Sequence, residues 1–366
     1  MIEKKIEQVF MKIAGIQYLR AIAALAVVVA HAAGTASFDK YFGSEAVFFD
    51  FWTHGWLGVQ LFFVISGFII VVSSFSAGNG TPTKSFMHFL TARAGRILPM
   101  MWLAIVSFAV MRWFARGALE PIPYLNAFFL LPFGEYDPKQ IWTLRHEAIF
   151  YLVFGFSFLL NPRMRPVFLV WVAVPVVVYA VPSIGSNWGT TVLGQSLGNV
   201  FAVHNVFFGA GALIGYVYVR RPDVIERLAR SPARHVVSMP ALVSLFCLVV
   251  LSSMTRETFD QVVLLSLIAF SATVLMCTIE LTKVNRIAYY LGNASFSIYL
   301  FHPHIESTLL SILAAVAPDL NVNVVVALVS AAAVAGGAVI YSFVERPITR
   351  SVGRVTLARF RPVQAE

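Results

Sequence analysis

Ten apolar runs, each roughly 17–25 residues long, recur along this chain, and no water-soluble fold accommodates that many. They cover 16–35, 55–75, 97–116, 142–160, 166–182, 200–219, 236–253, 260–281, 286–308 and 322–343. Within hydrocarbon each run must satisfy its own backbone donors and acceptors, and a single segment does so only as an α-helix. The expectation is an all-α, polytopic membrane helix bundle with about ten transmembrane helices. It forms one domain over 1–366, with short tails at 1–15 and 344–366. A composition of 58% hydrophobic and 12% charged residues supports this reading. The stretch 120–141 is left out because its apolar patch is short and bracketed by Pro121, Pro123 and Pro132, so a loop or re-entrant element is expected.

Charge distribution gives an independent check on the segmentation. An even number of spans puts both termini on one side. With the N-terminus cytoplasmic, 21 of the 27 Lys and Arg residues fall on inside segments. Only Lys40, Arg112, Arg116, Lys139, Arg145 and Arg256 lie outside, a split that follows the positive-inside rule. Both termini are therefore expected to be cytoplasmic, in a bacterial cytoplasmic (inner) membrane. The net charge of +9 needs no nucleic-acid partner, because basic loops at a membrane surface account for it. Lys4, Lys5 and Lys12 precede a first run long enough to span, which reads as a signal anchor. Cys247 and Cys277 lie in apolar segments and suggest no disulfide framework.

Ionisable residues inside such runs are costly and point to function. Arg20 and His31 are eleven residues apart, about three helical turns, so they share one face about 16 Å apart along the axis. Read structurally, Arg20 snorkels to the inner surface while His31 caps the outer end. Topology then puts His31, Glu147 and His302 at one outer level, and Arg20, Arg93 and Arg96 at the inner mouth.

Four segments carry the remaining chemistry. IWTLRHEAIFY contains Trp142, Arg145, His146, Glu147 and Tyr151. Its charges form either an anchoring ion pair between Arg145 and Glu147 or a carboxylate that orients an imidazole. GVQLFFVISGF brings Gly58, Ser66 and Gly67 together, a small-residue pattern suited to helix packing, with substrate contact by Ser66 as the alternative. TARAGRILP carries Arg93 and Arg96, which serve as surface anchors or as phosphate forks. LGNASFSIYLFHPHIE carries His302, and Pro303 is expected to limit the regularity of that helix end. Histidines lack close ligand spacing apart from His302 and His304, so no metal is expected.

Taken in order, these segments and the closing VERP at 344–347 resemble the acyltransferase-3 family of integral membrane acyltransferases, over nearly the whole chain. The likeness is to bacterial members that O-acetylate exopolysaccharide or lipopolysaccharide. Many relatives carry a Ser-Val-Glu-Glu type sequence where this chain has Leu144, Arg145, His146 and Glu147, so Glu147 alone is carried over from that motif. The resemblance implies transfer of an acyl group, usually acetyl from acetyl-CoA, onto a hydroxyl of a cell-surface or lipid-linked glycan. It implies His31 as the essential group with Arg20 its motif partner, and Glu147 orienting or charge-stabilising His31. Arg93 and Arg96 would hold the nucleotide end of acetyl-CoA, a co-substrate rather than a permanently bound cofactor. Trp142, Arg145, His146, Tyr151, Ser66 and His302 are the candidate substrate contacts. His31 acts as general base or as an acyl relay. The non-enzymatic alternative is a transporter or flippase of a glycan or lipid, whose repeated halves with matching interrupted spans are not evident in the sequence.

Overall fold

The computed structural model describes residues 2–43, 55–76, 82–83, 85–160, 167–181, 184, 188–224 and 284–359, with isolated positions 227, 267, 270, 271 and 274. The runs at 236–253 and 260–281 otherwise lie outside these residues. Every regular element described is helical. Among the described residues, four helical stretches are long and apolar enough to cross a membrane: Ala14–Ala36, Phe86–Arg116, Val192–Arg220 and Val322–Val352.

The elements are α1 (Ile2–Ala36), α2 (Leu57–Val72), α3 (Phe86–Arg116), α4 (Pro121–Phe129), α5 (Trp142–Phe156), α6 (Val167–Ala180), α7 (Val192–Val200), α8 (His204–Arg220), α9 (Arg286–Val316), α10 (Val322–Ile340) and α11 (Arg346–Arg359). They fall into two compact units. One holds Met1–Gly80 with Ala210–Tyr341, the other Thr81–Gly209 with Ser342–Glu366.

In the first unit α1 packs along α9 and α10, and α2 packs on α1. Small residues set the spacing: Ala24 and Val28 of α1 meet Ala294 and Ile298 of α9 and Ala333 of α10. Gly292 permits a close approach of α9 to α1, since a Cβ there would lie 2.0 Å from the Gln17 carbonyl oxygen. Fourteen residues further along both helices, Glu306 meets His31, again 275 positions apart. α1 and α9 therefore run parallel in constant register over two heptads, the repeat at which side-by-side helices present the same face again.

In the second unit α3 packs against α4, α5 and α11. The core beside α5 is aromatic, with Phe150 stacked on Phe208 at 4.2 Å between centroids. The 120–141 stretch forms α4, with Pro121 in its first turn and Leu130 ending it at φ 52°. The following loop is pinned by its own polar groups. Asn126 Nδ2 donates to Glu135 O at 3.1 Å and the Tyr136 hydroxyl donates to Leu131 O at 2.8 Å. α7 holds the loop from the other side: Asn199 Nδ2 donates to Pro132 O and Gln195 Oε1 accepts from Gly134 N–H.

Three helices extend well beyond their expected bounds, α1 by starting at Ile2 rather than at 16. α3 begins at Phe86 because Ser85 caps it, its Oγ accepting from His88 N–H at 3.3 Å. Apolar content cannot reveal that first part, which holds Arg93 and Arg96. α9 runs through Pro303 to Val316 rather than losing regularity there. Proline removes the hydrogen bond to the carbonyl four residues earlier, that of Tyr299, and the neighbouring His302 ring takes that carbonyl instead.

Candidate active site

α1 places Arg20 and His31 on one face, as their spacing requires. Arg20 Nη1 donates to Gln17 Oε1, one turn earlier, at 3.3 Å. His31 exposes 46% of its side chain, whereas the carboxylate it meets, Glu306, is fully buried. His31 Nδ1 lies 2.5 Å from Glu306 Oε2, and toward an ionised Glu306, which only accepts, Nδ1–H is the donor. That bond sets the chemistry of the ring. With Nδ1 occupied, Nε2 keeps the lone pair and is the nitrogen available as a base or nucleophile.

His302 completes the cluster. It lies one turn before Glu306 on the same face of α9, 1% exposed, with its ring edge-on to His31 at 5.0 Å between centroids. Its Nδ1–H donates to the Tyr299 carbonyl at 2.7 Å, and because a carbonyl only accepts, the lone pair is on Nε2. Among the described residues, that Nε2 and Glu306 Oε1 are buried with no hydrogen-bond partner. The ligand atoms of His31, His302 and Glu306 lie within 4.8 Å of one another. Ser66 stands half-buried on α2 in the same unit.

The second unit holds the other candidates in two groups. In the first, the Tyr151 hydroxyl donates to Glu147 Oε1, one turn away on α5. The Arg93 guanidinium lies over the rings of Tyr151 and Phe89, at 5.5 and 5.7 Å. Arg96 follows Arg93 on α3, one turn on. In the second group, Trp142 packs on His146 at 5.6 Å and on His204 at 5.1 Å, and the two imidazoles are 4.9 Å apart. Arg145 is engaged by the loop before α5: it covers the Tyr136 ring at 4.4 Å and Nη1 donates to Gly134 O at 3.3 Å. Burial raises the Tyr136 phenol above its ordinary pKa, against the opposing Arg145 charge, so the hydroxyl stays a donor at neutral pH.

Sequence reasoning named Arg20, His31 and His302, and the first unit brings the two histidines together. It also named Trp142, His146, Glu147 and Tyr151, and α5 brings Glu147 onto Tyr151 and Trp142 onto His146. It did not name Glu306, the carboxylate that meets His31 Nδ1. The signal was present: Glu306 follows His302 by four residues inside an apolar helix, the same kind of anomaly that singled out Arg20 and His31.

A family model described as "Acyltransferase domain" matches residues 13–342. The "Exopolysaccharide production protein ExoZ" of Rhizobium meliloti is 29% identical over 325 residues, covering 81% of this chain and 90% of that protein. The "Peptidoglycan O-acetyltransferase OatA" of Listeria monocytogenes is 23% identical over 322 residues, covering 78% of this chain and 48% of that protein. No solved structure matches.

Proposed function

We propose, for a chain that belongs to the acyltransferase-3 family and is a membrane O-acyltransferase, that it moves an acetyl group from cytoplasmic acetyl-CoA to a carbohydrate hydroxyl, with His31 as general base. The observation that carries this reading is the 2.5 Å bond between His31 Nδ1 and Glu306 Oε2. It leaves Nε2 as a base whose protonated form is stabilised by a buried carboxylate, the usual arrangement for activating a hydroxyl. In the reaction Nε2 takes the acceptor's proton, the alkoxide oxygen attacks the thioester carbonyl carbon, and the C–S bond breaks. The proton held on Nε2 then passes to the departing thiolate.

The acceptor is proposed to be a cell-surface or lipid-linked glycan, in line with the names of the relatives, and the membrane to be the bacterial inner membrane. Arg93 and Arg96 suit the phosphates of the donor, because a guanidinium pairs with phosphate through two parallel hydrogen bonds. The Tyr151–Glu147 pair beside Arg93 keeps a carboxylate within reach of that charge. Trp142, Arg145 and His146 offer an aromatic face and donors of the kind that hold sugar rings.

The test uses purified protein in liposomes with radiolabelled acetyl-CoA and a panel of glycans. The wild type is compared with His31→Ala, Glu306→Gln and Glu147→Gln at matched helicity. Label on glycan with wild type and its loss with His31→Ala supports the reading. Equal transfer by all four proteins removes these residues from the mechanism, and movement of glycan without consumption of acetyl-CoA favours transport.

A further inference from the structure

Two imidazoles and a carboxylate converge in the first unit, and the base mechanism leaves two of their atoms idle. His302 Nε2 and Glu306 Oε1 are both buried without a hydrogen-bond partner among the described residues, on side chains 1% and 0% exposed. An idle buried lone pair is costly, and two of them in one cluster mark a place built for something that accepts electron pairs. The ligand atoms of His31, His302 and Glu306 lie within 4.8 Å of one another. His302 already has the support that metal-binding histidines use: Nδ1–H is fixed on the Tyr299 carbonyl and Nε2 is directed away from it. His31 is 46% exposed, which gives an ion a route in.

We infer that His31, His302 and Glu306 form a reversible binding site for a first-row divalent cation of Zn2+ type, and that its occupation switches off acyl transfer. Two nitrogens and one carboxylate oxygen are a zinc ligand set with the fourth position open. Calcium and magnesium prefer all-oxygen sites and are not expected here.

The switch follows from tautomer chemistry and rests on His31 acting as the base. With Glu306 ionised, as the base mechanism requires, the neutral His31 ring carries its proton on Nδ1, facing the carboxylate 2.5 Å away, and the basic lone pair is on Nε2. An ion coordinated by Nδ1 takes the place of that proton, which moves through solvent to Nε2. The ring stays neutral and no proton is released overall, but Nε2 now carries a hydrogen and can no longer accept one from the acceptor hydroxyl. Tetrahedral ligands about 2.1 Å from zinc stand about 3.4 Å apart. The 2.5 Å His31–Glu306 pair therefore opens by a little under 1 Å, within reach of side-chain rotation.

Equilibrium dialysis of the full-length protein in liposomes against Zn2+, with metal counted by mass spectrometry, tests the site without needing transfer activity. One zinc per chain is expected, not displaced by a hundredfold excess of Mg2+. His302→Asn and Glu306→Gln should each weaken binding at least tenfold at unchanged helicity, while His88→Asn on α3 leaves it unaltered. Absent stoichiometric binding, displacement by Mg2+, or binding equal to wild type in both ligand variants overturns the site. With acetyl-CoA and acceptor present, zinc should inhibit and a chelator restore the rate. Bound zinc with full-rate transfer overturns the switch and His31 as the base. Bound zinc with no transfer under any condition supports the site and overturns the acyl-transfer reading.

Discussion

Replacing Gly292 by Ala adds a single methyl group at the close approach of α9 to α1. The new Cβ would stand 2.0 Å from the Gln17 carbonyl oxygen, 2.6 Å from its carbon and 2.8 Å from its Cα. All three are backbone atoms, so no rotamer relieves the overlap. Ordinary contact begins near 3.4 Å, and the helices must part locally by about 1.4 Å. Overpacking of this kind costs about 1–3 kcal/mol. The His31–Glu306 pair is fourteen residues away, about 21 Å at 1.5 Å per residue, and beyond it α1 is held by Ala32 and Ala36 packed on Leu310, Val325, Val326 and Val329. If α1 pivots there as a rigid rod, Ala36 is five residues from His31 and nineteen from Gln17, so the pair opens by only about a quarter of 1.4 Å, or ~0.4 Å. The bond lengthens from 2.5 to about 2.9 Å and survives. Chemical denaturation in lipid should show the stability loss, while the acetyl-transfer rate well below the unfolding temperature stays within about threefold of wild type. Stability equal to wild type would refute the close approach. A hundredfold rate loss in fully folded protein would refute the rigid pivot.

Glu306→Gln keeps the shape of the side chain and removes its charge. A hydrogen bond to a charged group contributes about 1.5–3 kcal/mol, which at 1.36 kcal/mol per factor of ten is a fall in kcat of roughly 10–150-fold, read in the liposome assay. Tyr151→Phe deletes the hydroxyl that donates to Glu147 and should destabilise the protein by about 1–3 kcal/mol in the same denaturation assay; an unchanged midpoint would show that water replaces it. Gly134→Ala meets two obstacles, a φ of +73° and a Cβ 2.5 Å from Asn126 Nδ2, and a loss of roughly 2–3 kcal/mol is expected, with faster proteolysis of the 130–138 loop.

How much of this was legible in the sequence depended on whether the signal was local. The 16–35 run gave α1, and helical periodicity put Arg20 and His31 on one face, because both follow from adjacent residues. α7 was not legible: VLGQSLGNV is too polar and too short to stand out, and it is held by Thr191, whose hydroxyl accepts from Gly194 N–H, and by contacts with the loop before α5. Pro303 suggested an irregular helix end, and only the His302 ring beside it shows how the helix carries on. Glu306 stood near the end of the 286–308 run, beyond the Pro303 expected to break its regularity. Its meaning depends on a residue 275 positions earlier, and no periodicity reports a contact at that distance.

That separation also sets a timetable for biogenesis. A ribosome adding about 5–20 residues per second places Glu306 in the growing chain roughly 15–55 seconds after His31. For that interval α1 resides in the bilayer with its imidazole lacking the carboxylate that will orient it, and the Thr81–Gly209 part of the second unit is synthesised in between. The nascent protein therefore cannot possess this dyad until its last third has been inserted, and a ribosome that stalls before α9 leaves a membrane-bound fragment without the His31–Glu306 pair.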